Sequence, residues 1–366
     1  MDRVPRLEGD AGSRCAVALV EGLLANGVDC TVLCRARDEW PAWLPPAAAI
    51  ETVPETIPPR TLVRMGRVVR PLGQLSTGVF AEHLRALAPD ADVVHFVEAE
   101  AAGAIGVVDR PAVAQLHCLA RRDPRVWNPL RPEGRVSIEL LRGELRARKR
   151  ARWLLVNSSA VADALASSHS DVTVAPLSLD VDHYLPPATL RAPLVGLIGT
   201  AAWPPTAVAV ERLLREVWPR VLAQRPDARL ALGGVQIERA RFAHVPEPPG
   251  VEWRGRVPAA SDFLRELGVL CYPVTEGSGT KVKVLEAMAL GVPTVTTPEG
   301  AEGLAPSPGV IVETDDRRLA QETVSLLDDP SRRAALGAEA RASFERHHTP
   351  AIAARPVVEL YRRMLA

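Results

Sequence analysis

Along most of the chain, short apolar runs alternate with longer stretches of 3.6-residue period. That is the pattern of βαβ units wound around parallel sheets. In the first half, CTVLC (30–34), DVVHFV (92–97), AVAQLH (112–117), WLLVN (153–157) and VTVAP (172–176) read as strands. Helical periodicity fills RCAVALVEGLLANG (14–27) and SIELLRGELRARKRARW (137–153) between them. In the second half, LVGLIG (194–199), ARLALGG (228–234), GVLCYPV (268–274) and PTVTT (293–297) are strands. The helices expected there cover 206–224, 280–290, 316–328 and 331–347. Between the halves, LSLDVDHYLPPATLRAP (177–193) has three prolines and no clear period, which reads as a linker. Two α/β domains follow, over 1–185 and 186–348, with a final helix in 349–366.

Composition narrows the function more by exclusion than by assertion. With 366 residues the chain can hold two ordinary cores. Its 44 basic and 44 acidic residues cancel, so no net field draws it to nucleic acid or membrane. Aromatics make up 4% and none interleave with arginines, which disfavours nucleic-acid stacking. Cys15, Cys30, Cys34, Cys118 and Cys271 lack metal-ligand spacing and read as reduced thiols. No run of 18 apolar residues and no charged-apolar-small leader is present, so the expected location is the cytoplasm.

One short stretch departs from this even picture. Only three lysines occur, Lys149, Lys281 and Lys283, and two of them stand in TEGSGTKVKVLEAMALG (275–291). The pattern there is strand, glycine-rich turn, amphipathic helix. Cations at a helix N-terminus are locally unfavourable by roughly 0.3–1 kcal/mol each. An anion held by the N–H groups, Thr280 and the two ammonium groups reverses that sign. Glu286, three residues after Lys283, lies on the same face and can accept hydroxyl groups. Phosphate beside polyol is what a nucleotide-sugar presents. The bland alternative is a surface Lys283–Glu286 pair worth a few tenths of a kcal/mol. Neither GxxxxGK[ST] nor GxGxxG is completed, because position 282 is Val, so ATPase and dinucleotide-dehydrogenase readings lose support.

GSGTKVKVLEAMALGVPTVTTPEGAEGL (277–304) resembles the donor-site signature of retaining GT-B glycosyltransferases of family 4. GLIGTAAWPPTAVAVERLLREVWPRVLAQRPDARLALGG (196–234) is similar to the opening of that family's C-terminal domain, and GVEWRGRV (250–257) to its next strand and turn. NSSAVADAL (157–165) and APLSLDVDHY (175–184) resemble the end of its N-terminal domain. The resemblance implies two Rossmann-like domains facing a cleft that holds a nucleoside-diphosphate sugar, with an acceptor hydroxyl as partner and no metal or other cofactor.

Carried over residue by residue, it implies that Ser278, Gly279, Thr280, Lys281 and Lys283 hold the diphosphate. Glu286 takes ribose or sugar hydroxyls, and Gly199 and Thr200 approach the phosphates. The Gly233–Gly234 and Arg254–Arg256 turns sit where the base is read. Where the broader family has a first Glu eight positions before the second, this chain has Ser278, as does a GxGTR-type subgroup in lacking that Glu. The opening MDRVPRLEGDAGSR stands where the family has a full strand, so either the start lies late or the sheet lacks its first strand. Gly9, Gly12 and Arg14 match the remains of the acceptor-side loop.

His117 ends a strand at the edge where catalytic groups collect, and matches the family's strand-end His near the reacting carbon. Its alternative is a His satisfied by backbone. His95 also ends a strand and reads as structural, while Glu98 beyond it is a candidate for the acceptor pocket. Asp180-Val181-Asp182 lies in the linker, far from the glycine-rich loop, which argues against a metal. His347–His348 reads as a solvated helix end. Arg60, Arg64, Arg67 and Arg70 share one helical face, and 121–152 is rich in basic residues. Such faces can contact an anionic membrane, though more often they are simply solvated.

The reading is a metal-independent glycosyltransferase in which Lys283 and Glu286 act on the donor and His117 at the reacting face. A nucleotide-sugar epimerase or phosphorylase on the same fold, and a non-catalytic nucleotide-sugar binder, are the alternatives.

Overall fold

The computed structural model describes all residues except 1–4, 8–9, 37–43, 55–77, 124–129, 131 and 188–191. Gly9 and the arginine face at 60–70 therefore lie outside the described residues. The chain divides into two compact units, Met1–Asp180 with Thr349–Ala366, and Val181–His348. Among the described residues no helix is long and apolar enough to cross a membrane.

In the first unit, β1 (Thr31–Ala36) pairs in parallel with β2 (Ala49–Pro54). A four-stranded parallel sheet runs in the order β3 (Val94–Val97), β4 (Ala112–Leu116), β5 (Trp153–Val156), β6 (Val172–Val174). Alternation along its strands divides the core. Ala114, Leu116, Leu154 and Val156 face a cluster with Phe80, Leu84, Ala147 and Leu165. Val113 and Leu155 face the opposite cluster with Leu23, Val357, Leu360 and Tyr361. The period of two thus sorts successive residues of one strand onto two separate cores.

The second of those cores is closed by the C-terminal helix Arg355–Leu365. Its Tyr361 hydroxyl lies 2.6 Å from His95 Nδ1, with the two rings edge-on. Asn26 ties the Ala11–Ala25 helix to the same region by donating to Gly22 O and to Ala351 O, at 2.7 and 2.8 Å. Burial, helped by the charge of nearby His117, pushes His95 down to about 3, so it stays neutral. A neutral imidazole needs one acceptor and one donor site matched, and Tyr361 supplies one of them.

The second unit is one six-stranded parallel sheet. Its order is β12 (Val310–Val312), β11 (Thr294–Thr296), β10 (Val269–Tyr272), β7 (Leu194–Thr200), β8 (Arg229–Val235), β9 (Val251–Gly255). Strand order therefore reverses between β7 and β10. The carboxyl ends of strands that flank such a reversal are the usual place for a ligand in sheets of this kind.

Sequence periodicity outlined a single helix over 206–224, but its middle widens. Pro204–Arg212 is α-helical, Leu213–Val217 is a π-turn, and Trp218–Leu222 is α-helical again. Pro219 explains the break, because it has no N–H to give and its ring crowds the carbonyl four residues back. The Trp218 N–H bonds Leu213 O, five residues back, and its fully buried indole donates to Pro249 O at 3.0 Å.

The boundary between units falls at 180/181 rather than at 185. Arg341 donates to Tyr184 O at 2.7 Å and Arg265 to His183 O at 2.8 Å, which fastens 181–184 to the second unit. Leu179 and Tyr184 are buried, so much of the expected linker is packed chain. His348 is also a correction. It is buried, and its Nε2 accepts from the Ala305 N–H at 3.1 Å.

Replacing Tyr361 by Phe leaves a buried imidazole nitrogen without its partner. The expected cost is about 1–3 kcal/mol, read as a lower urea midpoint with an unchanged slope. An unchanged midpoint would show that the bond does not hold the terminal helix.

Candidate functional site

Beside the switch point of the second unit, the bare ends of β7 and β8 come together. Gly199 and Gly234 are cross-strand partners near the ends of β7 and β8. Gly234 has φ +124°, and a Cβ there would lie 1.8 Å from Gly199 O. A Cβ on Gly199 would meet Thr206 Cγ2 at 2.9 Å and Lys283 Cε at 3.0 Å. Both positions are thus reserved for glycine, one by conformation and one by the lysine stem lying across it. Thr200, one residue on, is exposed at the strand end.

The loop after β10 turns through two left-handed glycines, Gly277 (φ +100°) and Gly279 (φ +75°), and enters the Val282–Ala289 helix. That helix begins two residues later than its sequence pattern indicates. Lys281 is the extended residue at its cap rather than a member of its first turn. The expectation of two ammonium groups side by side on one anion is corrected here. Lys281 folds back into the loop, where its Nζ donates to Gly279 O at 2.6 Å and Gly277 O at 3.3 Å. Its side chain is 1% exposed and lies 3.9 Å from Glu302 Oε2. Glu302 Oε1 in turn accepts the Gly279 N–H at 2.9 Å. Ser278 is buried within this loop, and Thr280 is half-buried beside it.

Lys283 is held differently. Its Nζ lies 3.2 Å from Tyr272 Oη, 4.3 Å from the Tyr272 ring centroid and 5.3 Å from that of Trp203. Among the described residues it forms no ion pair with a carboxylate. An ammonium held by ring faces is attracted through their quadrupoles while its full charge is kept. Burial pushes it down from the usual lysine value to about 8, and the charge of Glu286 only partly opposes this. Glu286 is not its surface partner. It is 2% exposed, and Oε1 accepts from Tyr184 Oη at 2.6 Å. Tyr272 is kept as the neutral phenol by burial, which raises it.

Of the base-side candidates, Arg256 is exposed at the end of β9. Arg254 is engaged with Glu252 at 3.0 Å and Glu266 at 2.5 Å, and lies over the Phe263 ring.

In the first unit, β3 and β4 end side by side with Val97 opposite Gln115. Glu98 and His117 follow those ends. Their contact is 3.5 Å, Glu98 Oε1 to His117 Nδ1, with both side chains mostly buried. Glu98 has φ +70°, a strained value for a residue with a Cβ, and such strain collects at functional positions. The carboxylate favours the proton on Nδ1, which leaves Nε2 as an acceptor. That Nε2 is buried with no hydrogen-bond partner among the described residues. It borders a small cavity with Val97, Gln115, Leu177 and Ser178. The loop beyond is fixed from two sides. Asn157 donates to His117 O at 3.0 Å, and buried Glu144 accepts from the Ala120 N–H at 2.7 Å.

Gly12 and Arg14 are not in a loop. They lie in the first turn of the Ala11–Ala25 helix, capped by Asp10, which accepts from Ser13 N at 2.9 Å. Among the described residues no group of three or more His, Cys, Asp or Glu stands close enough to hold a metal ion. Sequence reasoning missed Trp203, Tyr272, Tyr184, Glu144 and Glu302. Glu302, Trp203 and Tyr184 lie inside the family-like stretches 277–304, 196–234 and 175–184, but nothing local marked them.

Two family profiles match the chain. The one described as glycosyl transferases group 1 matches residues 192–329, and glycosyltransferase family 4 matches 12–183. A GDP-mannose-dependent monoacylated alpha-(1-6)-phosphatidylinositol monomannoside mannosyltransferase of Corynebacterium glutamicum is 34% identical over 146 residues. That match spans 36% of this chain and 38% of the mannosyltransferase. HepE of Anabaena, solved with UDP and glucose, is 16% identical with a TM-score of 0.65, covering 98% of this chain and 97% of its own. Sucrose-phosphate synthase of Thermosynechococcus elongatus is 18% identical with a TM-score of 0.68, covering 94% and 91%. At such identities the structural likeness speaks for the fold.

With three lysines in all, ε-carbon labelling resolves each one. One signal is expected to titrate with a midpoint near pH 8, cationic below and neutral above. It should vanish in Lys283→Arg. If every lysine signal keeps its ordinary midpoint, the ammonium is not enclosed as described.

Proposed function

Because this chain is a group 1, family 4 glycosyltransferase, we propose that it moves a sugar from a nucleoside-diphosphate sugar to an acceptor hydroxyl. The observation that carries the reading is Lys283, a cation that pairs with no carboxylate among the described residues and is held by rings at the switch point of the second unit. Bond breaking at the anomeric carbon leaves the electron pair on the diphosphate. Charge that develops there is met by a fixed ammonium and a helix N-terminus, which need no reorganisation during the step. Those groups do the work a metal does elsewhere, so the proposed transfer is metal-independent. Retention of anomeric configuration rests on the family resemblance.

Gly199, Thr200 and the 277–281 loop line the diphosphate position in this proposal, and Gly234 and Arg256 stand toward the base. Glu286 faces the ribose or sugar hydroxyls, its orientation fixed by Tyr184. In the first unit, His117 Nε2 takes a hydrogen bond from a substrate hydroxyl. Glu98 on the far side of the ring holds the tautomer. The mannosyltransferase relative is GDP-mannose-dependent and HepE was solved with UDP, so the base is left to measurement. Contact with an anionic membrane is proposed for the basic face of the Pro132–Arg150 helix, where Lys149 and Arg150 are exposed.

The test is binding of UDP, GDP, ADP and dTDP by calorimetry, followed by transfer from the matching sugar nucleotides. One diphosphate is expected to bind, and Lys283→Ala to weaken it about 10- to 100-fold, as loss of a charged hydrogen bond does. Binding should also weaken as pH rises through about 8, because the ammonium is lost. His117→Ala should leave that binding intact while turnover falls about 100-fold or more. No binding of any diphosphate by the wild type would overturn the reading.

A further inference from the structure

Glu302 has no role in the transfer just described, yet it bonds the backbone of the glycine-rich loop directly. We propose that Glu302 is a positioning residue of the donor site. With Lys281 it clamps the peptide units on both sides of Gly279, and so sets the loop against which the diphosphate is bound. The inference rests on reading the second unit as the donor site.

Both halves of the clamp are explicit. Glu302 Oε1 accepts the Gly279 N–H at 2.9 Å, and Lys281 Nζ donates to Gly279 O at 2.6 Å and to Gly277 O at 3.3 Å. Two left-handed glycines flanking Ser278 form a segment with little conformational preference of its own. Without partners, such a segment samples many orientations of its N–H groups, and anion binding has to order it. The clamp removes that cost before a ligand arrives.

Glu302 is itself well anchored. It follows the Pro298–Ala301 turn, which Thr297 caps by accepting the Gly300 N–H at 3.2 Å. The chain beyond is tied to the Pro330–His347 helix and its end. Ala305 N–H bonds His348 Nε2 at 3.1 Å, and Ser343 Oγ bonds Pro306 O at 3.2 Å. A rigid carboxylate thus meets a pliant loop. The charges of Lys281 and Glu302, 3.9 Å apart, offset one another, and Lys283 is left as the charge that faces the ligand.

The experiment compares Glu302→Gln, Glu302→Ala and Lys283→Ala by calorimetry at 10 °C, with whichever nucleoside diphosphate the wild type binds. Glu302→Ala is expected to weaken binding about tenfold or more. Glu302→Gln, which keeps an oxygen for the Gly279 N–H, should fall between it and wild type. In turnover assays the donor KM should rise while the acceptor KM stays unchanged. If both Glu302 variants melt at lower temperature yet bind the diphosphate as wild type does, the residue is only structural and the inference fails. If binding tightens, Glu302 competes with the ligand, and the inference fails as well. If Lys283→Ala also binds as wild type does, the donor-site reading itself falls, and this inference with it.

Discussion

The second unit holds an enclosed charge, Lys283, that pairs with no carboxylate among the described residues. A lysine ammonium at a sheet's carboxyl edge is ordinarily answered by a carboxylate, and here the nearby carboxylates are engaged elsewhere. Glu286 is bonded to Tyr184, and Glu302 to Gly279. What surrounds Lys283 is aromatic, and aromatic faces attract a cation without cancelling it. The requirement reaches back into the backbone. Gly199 has to be bare for the lysine stem to pass, and Gly234 has to be bare for the two strand ends to meet. The topology supplies the rest, since the strand order reverses between the two strands whose loops build the site.

The first unit follows a similar logic with the opposite polarity. Its candidate group is an imidazole whose buried second nitrogen has no hydrogen-bond partner among the described residues, with a carboxylate behind it on a strained residue. The supports are neutral or internally matched. His95 is bonded to Tyr361, the His117 carbonyl to Asn157, and the following loop to Glu144. The C-terminal helix belongs to this unit, so the last residues of the chain help to hold the same sheet that presents His117.

Most strands were legible because parallel strands are buried on both faces and read as unbroken apolar runs. Ala49–Pro54 was not, because Glu51 and Thr52 interrupt its pattern at a sheet edge. The glycine-rich turn and the helix after it were also legible, and its two lysines stood out. Their division of labour was not. Lys281 and Lys283 are two residues apart in an extended-to-helical turn, and nothing local says which one points inward. In the fold Lys281 turns toward the carbonyls of Gly277 and Gly279, beside Glu302 from more than twenty residues along the chain. His348 was misread for the same kind of reason, since its partner, the Ala305 N–H, is fixed only by the fold. The 177–187 segment was misread because proline richness masks the burial of Leu179 and Tyr184.

The scarcity of lysine has a further meaning for this protein. All but three of its 44 basic residues are arginine, whose charge neither titrates nor is removed by acylation. Lys149 is an exposed side chain on a helix, and Lys281 is sealed inside its loop. Lys283 is the remaining amine, and burial keeps part of it in the nucleophilic, unprotonated form near neutral pH. An acyl group added there would remove a charge that no carboxylate among the described residues answers, while the arginines kept theirs. The same enclosure that prepares this amine for an anion exposes it to electrophiles.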